Sequence, residues 1–257
     1  MDPWQSMRKL TSARIAIGRT GGSMLTAERL DFLLAHALAR DAVMAPFDEA
    51  ALAQELNAIT GCPPLILNSA AHDRAEYLQR PDLGRQLSPS SRALLTDHAA
   101  TLPACDIAII VSDGLSTLAA HTQAAPLLAV LIPLLTHEEW TIAPLTVARH
   151  ARVAFQDEVG EILRARITLM LLGERPGLGN ADSLGAYFTY GPKAGRTDAD
   201  RNCISNIRAG GLPPADAARK LHLLLSQSRT LAISGVALKD DTAALNGAAV
   251  NNLGAGH

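Results

Sequence analysis

"DIAIIVSDGLST", residues 106 to 117, is the stretch on which the fold turns. A short apolar run stops at Asp113-Gly114, a turn pair, and Ser116 or Thr117 then stands ready to cap a following helix. Strand, turn and helix follow one another within a dozen residues. Working outward, further short apolar runs occur at "PLILNS" (64–69), "RVAF" (152–155) and "RITLMLLGE" (166–174). Helical spacing of apolar residues lies between and beyond them, at 88–99, 116–135, 157–164 and 213–228. Strands alternating with helices predict βαβ units, a mostly parallel sheet flanked by helices and an α/β fold class.

Ahead of this region the rhythm is helical. "TAERLDFLLAHALARDAVMAP" (26–46) places Leu30, Leu33, Leu34, Ala37 and Leu38 at helical spacing, with Thr26 as the expected cap and Pro46 as the stop. "DEAALAQELNAITG" (48–61) gives a second helix ended by Gly61. The expected organisation is a helical N-terminal region over 1–61, a sheet domain over 62–241 and a tail over 242–257. That tail, small and polar without periodicity, is expected to be disordered.

The composition excludes several classes of function. With 257 residues, 48% of them hydrophobic, the chain can bury a sizeable core. A formal charge of −2, with scattered Lys and Arg, supplies no basic field for nucleic acid. The longest apolar stretch, "AAPLLAVLIPLL" (124–135), is shorter than the roughly 20 residues of a membrane span. The N-terminus has no apolar block followed by a cleavage site, so a cytoplasmic protein is expected. Cys62, Cys105 and Cys203 are odd in number and far apart, which argues against a disulfide framework or a structural zinc site. G-x-S-x-G, P-loop and G-x-G-x-x-G patterns are all missing, and the eight histidines form no tight ligand set.

In an open α/β sheet, ligands gather beyond the carboxyl ends of the strands, so residues just after a strand are the candidates. "VSDGLST" (111–117) could offer backbone N–H groups to an anion, or simply join strand to helix. "LLGERPGLG" (171–179) delivers Glu174 at a strand end, to accept a hydrogen bond from a ligand or to pair with Arg175. "YGPKAGRTDADRNCISNIRAGG" (190–211) reads as a long polar loop, with Cys203 either a small buried hydrophobe or a contact for a ligand.

Longer blocks carry more than their local physics. "YLQRPDLGRQL" (77–87), "GERPGL" (173–178) and "GRTDADRNCISNI" (195–207), within matching stretches from about residue 13 to 241, resemble the small subunit of ethanolamine ammonia-lyase. The resemblance implies a Rossmann-like sheet that closes over adenosylcobalamin opposite a large (β/α)₈-barrel subunit. There the complex converts ethanolamine to acetaldehyde and ammonia by a radical route. It further implies that Val153 of the "RVA" strand, Glu174 of "GERPG" and Cys203 of "RNCISN" contact the cobalamin. The D-x-H-x-x-G pattern of other cobalamin enzymes is absent, as the family keeps the cofactor's own base on cobalt. Packaging into a bacterial microcompartment is associated with a longer helical N-terminal extension; here about a dozen residues precede the first matching block. Two competing readings remain: a free-standing Rossmann-like nucleotide-binding module using "VSDGLST", and a subunit that supports its partner without touching cofactor.

Overall fold

The computed structural model describes residues 22–239 together with residues 7, 10, 15 and 17–20, so the tail over 242–257 lies outside the described residues. A small antiparallel hairpin, β1 (Arg19–Thr20) and β2 (Ser23–Met24), leads into α1 (Thr26–Met44) and α2 (Glu49–Thr60). Thr26 is the first residue of α1, and Leu25 occupies the cap position without a side-chain bond. Asp48 caps α2 by accepting from the Ala51 N–H at 2.9 Å. Gly61 closes that helix in the left-handed region, at φ 69°.

Six strands follow: β3 (Leu65–Asn68), β4 (Cys105–Ser112), β5 (Thr146–Arg149), β6 (Ala165–Gly173), β7 (Leu184–Tyr190) and β8 (Arg201–Ile207). They form one sheet in the order β3-β5-β4-β6-β7-β8. The first four are parallel, while β7 runs antiparallel to β6 and β8 antiparallel to β7. Between and after them lie α3 (Arg74–Gln79), α4 (Pro89–Ala99), α5 (Thr117–His137), α6 (Phe155–Ile162) and α7 (Pro214–Leu231). The fold is α/β, with a mostly parallel sheet flanked by helices, as expected.

Side-chain alternation along the central strands builds two cores. Ile107, Ile109 and Val111 of β4, with Ile167, Leu169 and Leu171 of β6, pack on one face beneath α2, α5 and α7. Ala108, Ile110, Met170 and Leu172 point to the other face and meet α4 and α6. Helix α5 is long and apolar enough to cross a membrane by composition, with a mean hydropathy of 1.7. Here it is the central core helix, with Leu127, Leu128, Leu131 and Leu135 fully buried against the sheet. On the second face α4 and α6 pack over β4 and β6, and α6 also reaches β8, where Asp157 pairs with Arg201; beyond that pair Tyr187 and Cys203 stand partly or wholly uncovered.

Two expectations from the sequence are corrected. "RVAF" is not a strand: Arg152–Ala154 form a turn and Phe155 starts α6, where Phe155 and Val159 supply its buried face. The strand lies just upstream, at Thr146–Arg149. The segment 190–211 is not a structureless loop either, because it contains β8, which pairs along β7. A bulge hides that strand: Leu184 pairs with Ile207 and Ala186 with Ile204, so one residue of β7, Gly185, opposes two of β8, Ser205 and Asn206. Asn206, at φ 58°, absorbs the extra residue.

Candidate functional site: a cleft at the carboxyl end of the sheet

The chain leaves β4 toward one face of the sheet and β5 toward the other, while β6 turns back into β7, and the diverging ends of β4 and β5 open a crevice between them. That crevice is a cleft of about 800 Å³. Arg152, Val153 and Ala154 border it after β5, Leu115 after β4, and Leu172 to Arg175 at the end of β6. Tyr187, on the uncovered face of β7, forms the far wall.

Glu174 is the first residue beyond β6 and is half-buried. Its Oε2 accepts from the Ser183 hydroxyl at 2.6 Å and from the Asn206 N–H at 3.1 Å, and its own N–H donates to the Ser183 carbonyl at 2.9 Å. Among the described residues Oε1 accepts no hydrogen bond, and Glu174 makes no ion pair with Arg175. One carboxylate oxygen is thus anchored to β7 and the bulge of β8, and the other remains an acceptor for a ligand. A carboxylate held this way is built to be pointed, not to neutralise a neighbour.

Cys203 sits in the middle of β8, directly opposite Tyr187 of β7. Ile204 turns into the core, so Cys203 faces the uncovered side and is exposed. The structure therefore brings Val153 and Glu174 into one cleft and sets Cys203 against the tyrosine that walls it. Partial desolvation, with the negative charge of Glu174, pushes the Cys203 thiol up to about 11, and the neighbouring Tyr187 hydroxyl only partly offsets this. An exposed thiol with little thiolate gives a specific labelling pattern. Alkylation of Cys203 in the free chain should be slow at pH 8 and climb roughly tenfold per pH unit toward pH 10. Cys105, buried in β4, should stay unlabelled throughout. Mass-spectrometric mapping of the label checks this, and complete resistance of Cys203 in the free chain would return it to the role of a core residue.

The "VSDGLST" turn is filled by protein. Asp113 is buried and accepts from Arg74 Nη1 at 2.9 Å, from the His150 N–H at 2.8 Å and from the Ser112 hydroxyl at 3.0 Å. The Leu115 N–H donates to Gly173 and the Ser116 N–H to Asp113, while the Ser116 hydroxyl caps α5 by accepting from the Ala119 N–H. Gly114, at φ 52°, lies so close to β6 that an added Cβ would stand 2.3 Å from the Gly173 oxygen. These donors are spent on the fold, and the turn joins strand to helix without an anion cradle.

Three features of the cleft escaped the sequence reading. Tyr77 of α3 is fully buried beneath it and donates to the Ala151 carbonyl at 3.2 Å, and the Arg152 guanidinium lies over its ring, 4.3 Å from the centroid. Arg201 and Asp157 form a buried two-point ion pair behind it, at 3.1 and 2.8 Å. Tyr187 lies on a strand that the sequence reading did not register. Tyr77 falls in "YLQRPDLGRQL" and Arg152 opens the "RVAF" run, and those positions were the only signals available.

An α/β sheet with a cleft at its carboxyl end, lined by positioned polar groups, places the chain in the doubly wound class, whose members bind ligands at that end of the sheet. The family model described as ethanolamine ammonia-lyase light chain (EutC) matches residues 1–239. The ethanolamine ammonia-lyase small subunit of Ralstonia nicotianae is 54% identical over 240 residues, 93% of this chain and 88% of that protein. Those of Pseudomonas putida strain W619 and Azotobacter vinelandii are each 52% identical, covering 93% and 96% of this chain and 88% and 92% of their own lengths. The chain belongs to the ethanolamine ammonia-lyase small-subunit family, a family of lyase subunits.

Proposed function

We propose that this chain is the small subunit of an adenosylcobalamin-dependent ethanolamine ammonia-lyase, and that its cleft grips one side of the cofactor while a large subunit holds the other side and the substrate. The convergence of Val153 and Glu174 on one cleft, with Cys203 beside its Tyr187 wall, is the observation that carries this reading. The residues suit the group. Corrin rings are edged with amide side chains, whose N–H groups match the free Oε1 of Glu174, and Val153 and Tyr187 offer apolar surface to the ring. The one-sided cleft also leaves room for a second protein to close it.

When bound, adenosylcobalamin supplies the radical that begins the conversion of ethanolamine to acetaldehyde and ammonia. This chain's share is to position the cofactor and keep water from it. Glu174 fixes orientation through a donor on the ligand, Val153 fills the adjacent apolar surface, and the β7–β8 face with Cys203 closes over the edge.

The partner reading has support elsewhere on the surface. Leu30, Leu34 and Leu38 stand 60%, 59% and 55% exposed along α1, more apolar surface on one helix than an isolated protein ordinarily leaves in water. Cytoplasmic location belongs to the same proposal.

Absorbance titration of the assembled two-subunit complex with cobalamin tests the assignment. Losing a hydrogen bond to a charged group costs about 1.5–3 kcal/mol, so Glu174→Ala should weaken binding roughly 10- to 150-fold. An unchanged dissociation constant would remove Glu174 from the site.

A further inference from the structure

The cleft is rich in arginine, and its arginines are not alike. Arg201 is neutralised by Asp157, and Arg196 lies 3.3 Å from Asp200. Arg85, Arg152 and Arg175 also line the cleft, and none has a carboxylate partner among the described residues. Arg152 is the most constrained of the three. Its guanidinium lies over the Tyr77 ring, its Nη2 donates to the Tyr77 carbonyl at 3.1 Å, and its backbone N–H donates to the Gly84 carbonyl at 2.7 Å. That last bond ties it to the turn that carries Arg85. Its Nε is buried and donates to no group among the described residues. Its Nη1 is not buried and makes no hydrogen bond among the described residues, so a donor of a positioned guanidinium remains for a ligand's oxygen. A planar guanidinium held by stacking suits an anion with two oxygens.

We propose that Arg152, with Arg85 beside it, is the anion-holding end of the cleft, and that it takes the phosphodiester of the nucleotide loop of cobalamin. This rests on the cobalamin reading above. Glu174, at the opposite side of β4's end, then meets neutral amide donors of the corrin, while the arginines meet the one negative charge of the vitamin's tail.

The test uses the assembled two-subunit complex and three probes: cobalamin, cobinamide phosphate, which keeps a phosphate but lacks the base, and cobinamide, which lacks both. Arg152→Gln should weaken the first two by about 10- to 100-fold and leave cobinamide within about twofold. Arg152→Lys, which keeps the charge, should recover part of that loss. Arg85→Gln, at an exposed position that leaves the Tyr77 stack intact, should give a smaller loss of the same selectivity. Equal losses for all three probes, or none, would overturn the assignment. A wild-type complex that binds none of the three would instead overturn the cobalamin reading itself.

Discussion

The isolated chain is expected to turn over no ethanolamine even when saturated with adenosylcobalamin, and to gain full activity only when the large subunit is added. The physical reason lies in the open side of its cleft. Radical chemistry requires that water be kept from the reacting centre, and beside the cleft Cys203 of β8 is exposed and Tyr187 of β7 only partly buried. The polar groups gathered at the cleft are themselves tied into the fold: Glu174 accepts from Ser183 and Asn206, and the Arg152 guanidinium lies over Tyr77. An assay of acetaldehyde release with this chain, with its partner and with both decides the matter, and turnover by this chain alone would refute the division of labour.

Asp157→Ala is expected to cost about 3–5 kcal/mol of stability, a large part of the roughly 5–15 kcal/mol that holds a domain together. Arg201 and Asp157 have side chains only 3% and 7% exposed, so removal of one leaves the other charged and buried. Replacing both, Asp157→Leu with Arg201→Met, should cost less than the single change, because no orphaned charge remains. Chemical denaturation of the three proteins makes the comparison.

The same pair has a pH signature. Burial pushes the Asp157 carboxyl from its ordinary 3.8 up to about 6, against the opposing pull of Arg201. Between those values the folded chain holds a proton that the unfolded chain has released. The contribution from this group is therefore present below about pH 4 and is lost as pH rises to about 6. The stability of the wild type relative to Asp157→Asn should fall across that window, and a constant difference would show that Asp157 titrates normally.

The parts of the fold that could be read from residues alone are those where one physical signal dominates. β4 and β6 are buried on both faces and appear as apolar runs, and Gly61 marks the end of α2 because few other residues accept its backbone conformation. "RVAF" misled because three apolar residues in four suit either period: Phe155 proved to be the first buried position of a helix. β8 was invisible because its bulge places Ile204 and Ile207 three apart, which erases the alternation of a strand. Glu174 was accessible to position-based reasoning, being the residue after a recognisable strand. Cys203 stood out by its place in a polar, glycine-bounded segment, its cofactor role and Val153 came from resemblance, and the buried partners of the cleft, Tyr77 and Asp157, depend on contacts across more than 40 residues.

Equilibrium binding of cobalamin to the large subunit alone, to this chain alone and to the two together tests the central claim most directly. The expected result is tight binding by the pair, with an affinity at least about tenfold above that of either subunit by itself, as two half-sites closing on one ligand require. Equal affinity of the large subunit with and without this chain would contradict it.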